Sequence, residues 1–110
     1  GKANGAITQE AFDEYLRCFS DPATIHATCE DYRASAGIDL QHDAVDAGKK
    51  IANPLLALWG QDGFVAKNYD VLETWRAVAS DVSGHSVSGG HFLPEEPPDE
   101  TLQALLDFLL

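Results

Sequence analysis

The sequence is poor in positive charge. It has seven lysines and arginines against eighteen aspartates and glutamates, which gives a formal net charge of −11. Nucleic acids and anionic membranes repel such a surface, so we expect neither as a partner. No apolar run approaches the roughly 20 residues that a membrane-spanning helix needs. The composition therefore predicts a cytoplasmic protein whose acidic surface favours solubility.

Cysteine is scarce and methionine is absent. The two cysteines, Cys18 and Cys29, form no CxxC motif and have no histidine at the spacing of a zinc site. We expect both thiols to be reduced and to lie on helices. The sequence predicts no metal site and no cofactor.

The first fifty residues have the spacing of helices. Apolar side chains recur at helical intervals after Thr8, which is suited to cap the first helix. Asp21 and Pro22 suit the start of a second helix, because a proline in the first turn loses no hydrogen bond. A third, shorter helix follows Gly37. We interpret residues 1–50 as a helical layer or lid beside the main fold.

From residue 51 onward, strands and helices alternate. Residues 55–59, LLALW, form an unbroken apolar run that is typical of a central parallel strand buried on both faces. Residues 69–79 have helical spacing, residues 82–88 alternate weakly as a second strand, and a last helix opens at Pro97. The predicted fold class is α/β, with two parallel strands and flanking helices in residues 51–110 as a single compact unit.

Each strand is followed by a loop that carries one titratable side chain. Asp62 follows the first strand in WGQDG, and His91 follows the second in GGHFL. A histidine base oriented by a carboxylate is the machinery of nucleophilic hydrolysis, and α/β-hydrolases carry nucleophile, acid and histidine in that order. Asp62 and His91 fit the last two places, but no GxSxG, and no GxDxG ahead of Asp62, supplies the first. Asp62 could equally cap its loop, and His26, His42 and His85 are expected to be solvated or lid residues, not ligands.

From about Phe12 to its end, the chain resembles the fluoroacetate and haloacetate dehalogenases. The matching segments are EYLRCFSDPATIHATCEDYRASAGIDLQHD, PLLALWG, YDVLETWRA, DVSG and GGHFLPEEPPDET. The resemblance implies that residues 1–50 are the end of a cap domain and that residues 51–110 are the last third of an α/β-hydrolase core. It also implies cleavage of a carbon–halogen bond in a small haloacid: an aspartate displaces the halide, and a histidine activates the water that hydrolyses the ester intermediate.

The same resemblance suggests individual roles. His91 is the water-activating base, and Tyr32, in CEDYRA, donates a hydrogen bond to the departing halide. Fixed donors that replace the water shell of fluoride lower the barrier to its departure. The family's nucleophile, its substrate-binding arginines and its His-Trp halide pair lie upstream and have no counterpart in this sequence. The family's usual acid also lies upstream, so Asp62 is either a substitute acid or incidental.

The leading hypothesis is therefore a truncated haloacetate dehalogenase-like hydrolase that is inactive unless an upstream half is supplied, which leaves open whether the lone chain is an enzyme. One alternative is a non-catalytic interaction or ligand-binding module derived from that fold. Another is a remnant of an esterase or epoxide hydrolase, against which the DYRA context of Tyr32 argues. The open edge of the strand at residues 55–59 predicts a homo-oligomer, formed through that edge or through apolar helix faces.

Overall fold

The computed structural model describes residues 6–110. Its elements, in chain order, are α1 (Gln9–Phe19), α2 (Pro22–Ser35), α3 (Ile38–Val45), β1 (Leu55–Gly60), α4 (Phe64–Asn68), α5 (Val71–Arg76), β2 (Val82–Val87) and α6 (Pro98–Leu109). Residues 7–49 form one compact unit, the helical unit, and the residues from Lys50 onward form another, the α/β unit. None of the helices described is both long enough and apolar enough to cross a bilayer.

The helical unit begins its helices where the sequence predicts. The hydroxyl of Thr8 accepts a hydrogen bond from the Ala11 amide at 3.2 Å, and the carboxylate of Asp21 accepts one from the Ala23 amide at 2.8 Å. Each bond satisfies an N–H group that has no partner inside its helix. Helix α2 contacts both α1 and α3, yet no residue of the three helices is buried. Cys18 on α1 and Cys29 on α2 are free thiols, as expected.

The α/β unit contains the predicted parallel strands. Strand β1 pairs with β2 in the register Leu55↔Val82 through Gly60↔Val87. Helices α4 and α5 contact β1, and α5 also contacts β2. The strand order with its intervening helices is the partial α/β-hydrolase core that the sequence predicts. Because the strands are parallel, the loops that follow them leave the same edge of the sheet.

The prediction of one helix over residues 69–79 is wrong in its extent. Helix α5 starts after Asp70, whose carboxylate accepts a hydrogen bond from the Glu73 amide at 3.0 Å, and it ends at Arg76. Ala79 forms a parallel bridge with Ile51, and the Ile51 amide donates to the carbonyl of Val78 at 2.8 Å. Helical hydrogen bonds continue past Arg76, since the Ala79 amide donates to the carbonyl of Trp75 at 2.8 Å, but from Ala79 the chain turns into its pairing with the segment ahead of β1. The short helix α4 was not predicted.

The core of the α/β unit is built from small side chains. The buried apolar residues among those described are Ala57, Val71, Ala79, Val87 and Ala104. The leucines and the tryptophan of β1 are only half-buried, so the expected burial of both faces of this strand is not seen. Two strands and their short helices present too little surface to cover such large side chains. Considerable apolar surface therefore remains free to make further contacts.

Candidate active site

The loops that follow β1 and β2 are joined by backbone hydrogen bonds. The amide of Gln61 donates to the carbonyl of Val87, and the amide of Asp62 donates to the carbonyl of Gly89, both at 2.9 Å. These bonds continue the parallel ladder past the ends of the strands. They hold the loop that carries Asp62 against the loop that carries His91.

Close approach of the two loops requires glycine. A Cβ atom on Gly60 would lie 1.6 Å from the carbonyl oxygen of Gly90 and 2.6 Å from its carbonyl carbon. Gly89, with φ of 90°, turns the second loop through a conformation that other residues rarely adopt. The glycines on both sides of the contact thus place the backbone of the His91 loop directly on the end of β1.

His91 lines a cavity of about 220 Å³ at this edge of the sheet. The walls are otherwise apolar side chains and glycine backbone, including Leu58, Trp59, Val71 and Trp75, so His91 provides the only titratable group among the described lining residues. Its ring packs edge-on against Phe92, with ring centroids 5.2 Å apart and planes at 83°. An exposed imidazole beside an apolar cavity can take a proton from a water molecule that enters it.

The side chains of Asp62 and His91 are not hydrogen-bonded to each other. Asp62 is exposed and lies outside the cavity lining, and its carboxylate accepts no hydrogen bond from any residue of the range 6–110. Nor does it cap α4, because Gly63 is the N-cap residue there and no side chain satisfies that helix end. The structure brings the two loops together, but the Asp62 side chain makes neither the contact expected of a triad acid nor that expected of a cap.

Tyr32 lies on α2 in the helical unit, where it is 75% exposed. Its hydroxyl makes no hydrogen bond with the part of the chain that is described. His26, His42 and His85 are exposed, as the sequence predicts. Tyr32 is therefore accessible to a ligand.

Two acidic residues that sequence reasoning did not single out hold the His91 loop. The carboxylate of Glu96 accepts hydrogen bonds within the loop, from Gly90 and Phe92. Glu100, on α6, accepts from the hydroxyl of Ser88 at 2.5 Å and from the Ser88 amide at 2.9 Å. The sequence signal is the acidic run PEEPPDE at residues 94–100, shortly after His91, which favourable interaction with the dipole of α6 explains only in part.

The contact between Ser88 and Glu100 depends on pH. The hydrogen bonds from the Ser88 hydroxyl and amide lower the pKa of Glu100, and the charge of His85 adds to this. Because the folded pKa lies below the unfolded one, the contact stabilises the fold fully above the ordinary glutamate pKa. That contribution is lost as the pH falls through the lowered value. Acid should therefore loosen the start of the His91 loop.

Among residues 6–110, no group of three or more histidine, cysteine, aspartate or glutamate side chains is placed to hold a metal ion.

No family model matches the sequence. A candidate α/β-hydrolase from Nostoc sp. PCC 7120 is 59% identical in its solved structure, with a TM-score of 0.92 over 99% of this chain and 38% of that one. A candidate acyltransferase from Salmonella enterica is 49% identical, with a TM-score of 0.89 over 98% of this chain and 36% of that one.

Two curated relatives have named activities. The fluoroacetate dehalogenase of Burkholderia sp. is 34% identical over 100 residues, which are 91% of this chain and 33% of that protein. The soluble epoxide hydrolase of Corynebacterium sp. (strain C12) is 33% identical over 103 residues, which are 93% of this chain and 34% of that protein. The chain is thus similar in sequence to α/β-hydrolases and has part of their core fold. It spans about a third of the length of these two relatives.

Proposed function

We propose that this chain supplies the base of a haloacetate dehalogenase-like hydrolase, with a small haloacid as substrate. The observation that carries the proposal is the position of His91, which follows the second of two parallel strands and lines the cavity at their carboxyl ends. The similarity of the chain to the fluoroacetate dehalogenase of Burkholderia supports the choice of substrate class.

In the proposed reaction, His91 acts after the halide has left. The neutral imidazole accepts a proton from water as the water oxygen attacks the carbonyl carbon of the ester intermediate. Cleavage of the ester bond then releases the hydroxy acid, whose departing oxygen takes the proton from the imidazolium, and the nucleophilic carboxylate is regenerated as its acid proton passes to solvent. Asp62 is proposed to orient the imidazole by accepting a hydrogen bond from its other nitrogen, and Tyr32 to donate a hydrogen bond to the halide.

The lining of the cavity indicates what the chain needs from elsewhere. None of the described lining residues is a lysine or an arginine, and none is a carboxylate. A haloacetate is an anion, so its binding in this cavity requires a cation, and displacement of its halide requires a nucleophile. We therefore propose that the isolated chain is inactive and that its histidine works only with a complementary part of a hydrolase.

The second candidate activity is epoxide hydrolysis. It is favoured by the soluble epoxide hydrolase of Corynebacterium, whose identity to this chain is within one percentage point of that of the dehalogenase. The same base would serve, because both proposals use His91 to activate water. The two proposals differ in their substrate, so fluoride release from fluoroacetate supports one and diol formation from an epoxide supports the other.

A chimera tests these proposals. This chain replaces the 100 matched residues in the Burkholderia fluoroacetate dehalogenase, and the isolated chain is assayed beside it. We expect the chimera to release fluoride from fluoroacetate and the isolated chain to release none above background, because nothing in the chain positions the carbon for attack. A small epoxide, assayed for diol, is the competing substrate.

Each result decides one proposal. If only the epoxide is turned over, the haloacid assignment is wrong. If the isolated chain releases halide and His91→Ala abolishes that release, a nucleophile is present in this chain and the proposed inactivity is wrong.

A non-catalytic interaction module is the alternative from a different class. It is favoured by the apolar side chains that the structure leaves exposed, among them Phe12, Leu16 and Phe19 on α1. A surface of this kind commonly marks a contact with another chain. We propose that the isolated chain forms a homodimer or larger oligomer through the open edge of β1 or through such helix faces.

The oligomer can be detected and located. Sedimentation at tens of micromolar should show a dimer or larger species, and a strictly monomeric protein would contradict the proposal. Amide hydrogen exchange over a dilution series then identifies the surface. Protection of residues 55–60 that disappears on dilution indicates the edge of β1, because the amides on that edge have partners only in the oligomer. Protection confined to α1 indicates a helix face.

A further inference from the structure

The backbone on both sides of His91 is held by one carboxylate. Oxygen Oε2 of Glu96 accepts hydrogen bonds from the amide of Gly90 at 3.0 Å and from the amide of Phe92 at 2.9 Å. The amide of Glu96 donates to the carbonyl of Phe92 at 2.8 Å, which closes the loop on itself. His91 is the one residue between the two amides that share this acceptor.

The loop is shaped around that carboxylate. A Cβ atom on Gly90 would lie 3.2 Å from Oε2 of Glu96, so glycine permits the approach of the acceptor. Glu96 is half-buried, whereas His91 is exposed. Hydrogen bonds from N–H groups to an ionised carboxylate are about twice as strong as those between neutral groups. The two bonds thus fix the peptide groups that flank an otherwise exposed residue.

Helix capping does not account for these bonds. Helix α6 starts at Pro98, its N-cap residue is Pro97, and no side chain satisfies its first amides. Both hydrogen bonds that Glu96 accepts come from residues ahead of it in the His91 loop. The carboxylate therefore points back toward His91 instead of forward into the helix.

We infer that Glu96 is the positioning residue for His91. With both flanking peptide groups fixed, only the two side-chain torsions of His91 remain to be set, and the edge-on contact with the Phe92 ring restricts them. The Phe92 ring depends on the same anchor, since the Phe92 amide is one of the two donors. This inference rests on the proposed role of His91 for its functional meaning, and its geometric content can be tested without catalysis.

The test is nuclear magnetic resonance on the isolated chain with Glu96→Ala, Glu96→Gln and the control Asp99→Asn. The control removes one negative charge from the first turn of α6 and leaves the Glu96 hydrogen bonds in place. In Glu96→Ala, we expect the Gly90 and Phe92 amides to exchange at least about tenfold faster, because the hydrogen bonds that protect them are gone. The His91 ring protons should move toward the shifts of an unstructured peptide as the contact with Phe92 is lost.

The glutamine variant separates positioning from general stability. Its neutral amide oxygen can still accept from both donors, so Glu96→Gln should fall between the native chain and Glu96→Ala. Exchange of the β1 and β2 amides shows whether each variant is folded. If Glu96→Ala unfolds the sheet, the same comparison with Asp99→Asn is made on Glu96→Gln alone. The inference is overturned if a folded Glu96 variant keeps the Gly90 and Phe92 exchange rates within about twofold of those in Asp99→Asn and leaves the His91 ring shifts the same as in that control. None of these signals requires turnover, so failure of the proposed hydrolytic role would not alter them.

Discussion

Replacing His91 with alanine in the dehalogenase chimera is expected to lower steady-state halide release by about 10²- to 10⁴-fold, the usual contribution of a general base. The proposed role also predicts which step fails. Displacement of halide precedes the action of His91, so the variant should release about one halide per enzyme in a burst and then continue only at the lowered steady-state rate. The ester intermediate should accumulate and be visible as a mass increase of the intact protein.

His42→Ala is the control for this experiment. His42 lies exposed on α3 and is outside the lining of the cavity, so its removal should leave both the burst and the steady state unchanged. A His91→Ala chimera that turns over at the rate of the parent chimera would contradict the assignment of the base. A chimera without any burst would show that His91 is needed before the ester forms.

The elements that could be predicted from sequence are those with local signals. Thr8 and Asp21 cap the helices at which they stand, and the apolar run of β1 lies between a proline and a glycine. A cap is a contact between neighbours in the chain, so the sequence specifies it without knowledge of the fold. The parallel pairing could be inferred because a helix separates the two strands.

The elements that were missed depend on contacts between distant residues. The end of α5 has no local signal, because the Ala79 amide still donates to the carbonyl of Trp75 while Ala79 also pairs with the distant Ile51. Helix α4 has five residues and no side-chain cap, so it has neither the length nor the start signal of a predictable helix.

The candidate site divides in the same way. His91 could be found because a glycine-rich turn with a histidine directly after a strand is a local pattern. Glu96 and Glu100 could not be assigned, because their function depends on which amides the folded loop presents to them. Chain order made Asp62 a candidate acid, with a loop cap as the alternative, and its side chain has no partner among residues 6–110. Chain order thus identifies candidates, and the loop geometry determines which contacts they form.

The contact between Gly60 and Gly90 makes the second large prediction. In Gly60→Ala, the new methyl group would overlap the carbonyl group of Gly90. The loops cannot move apart to relieve the overlap without breaking the hydrogen bonds from Gln61 and Asp62 to the second loop. We expect a loss of at least about 3 kcal/mol in the free energy of unfolding, at or beyond the upper end of ordinary overpacking. At about 4–8 °C per kcal/mol for a domain of this size, the melting temperature should fall by more than about 10 °C.

Tryptophan fluorescence is the appropriate probe for this variant. Trp59 and Trp75 are the only tryptophans of the chain, and both line the cavity beside His91, so urea unfolding followed by their emission reports on the α/β unit. The matched control is Gln61→Ala, the next residue of the same loop, whose side chain is exposed. Its effect should stay within about 0.5 kcal/mol, the range of an ordinary surface substitution. Equal midpoints for the two variants would mean that the loops do not approach each other as closely as the structure shows. The cavity and the position of His91 at the end of the sheet would then both need revision.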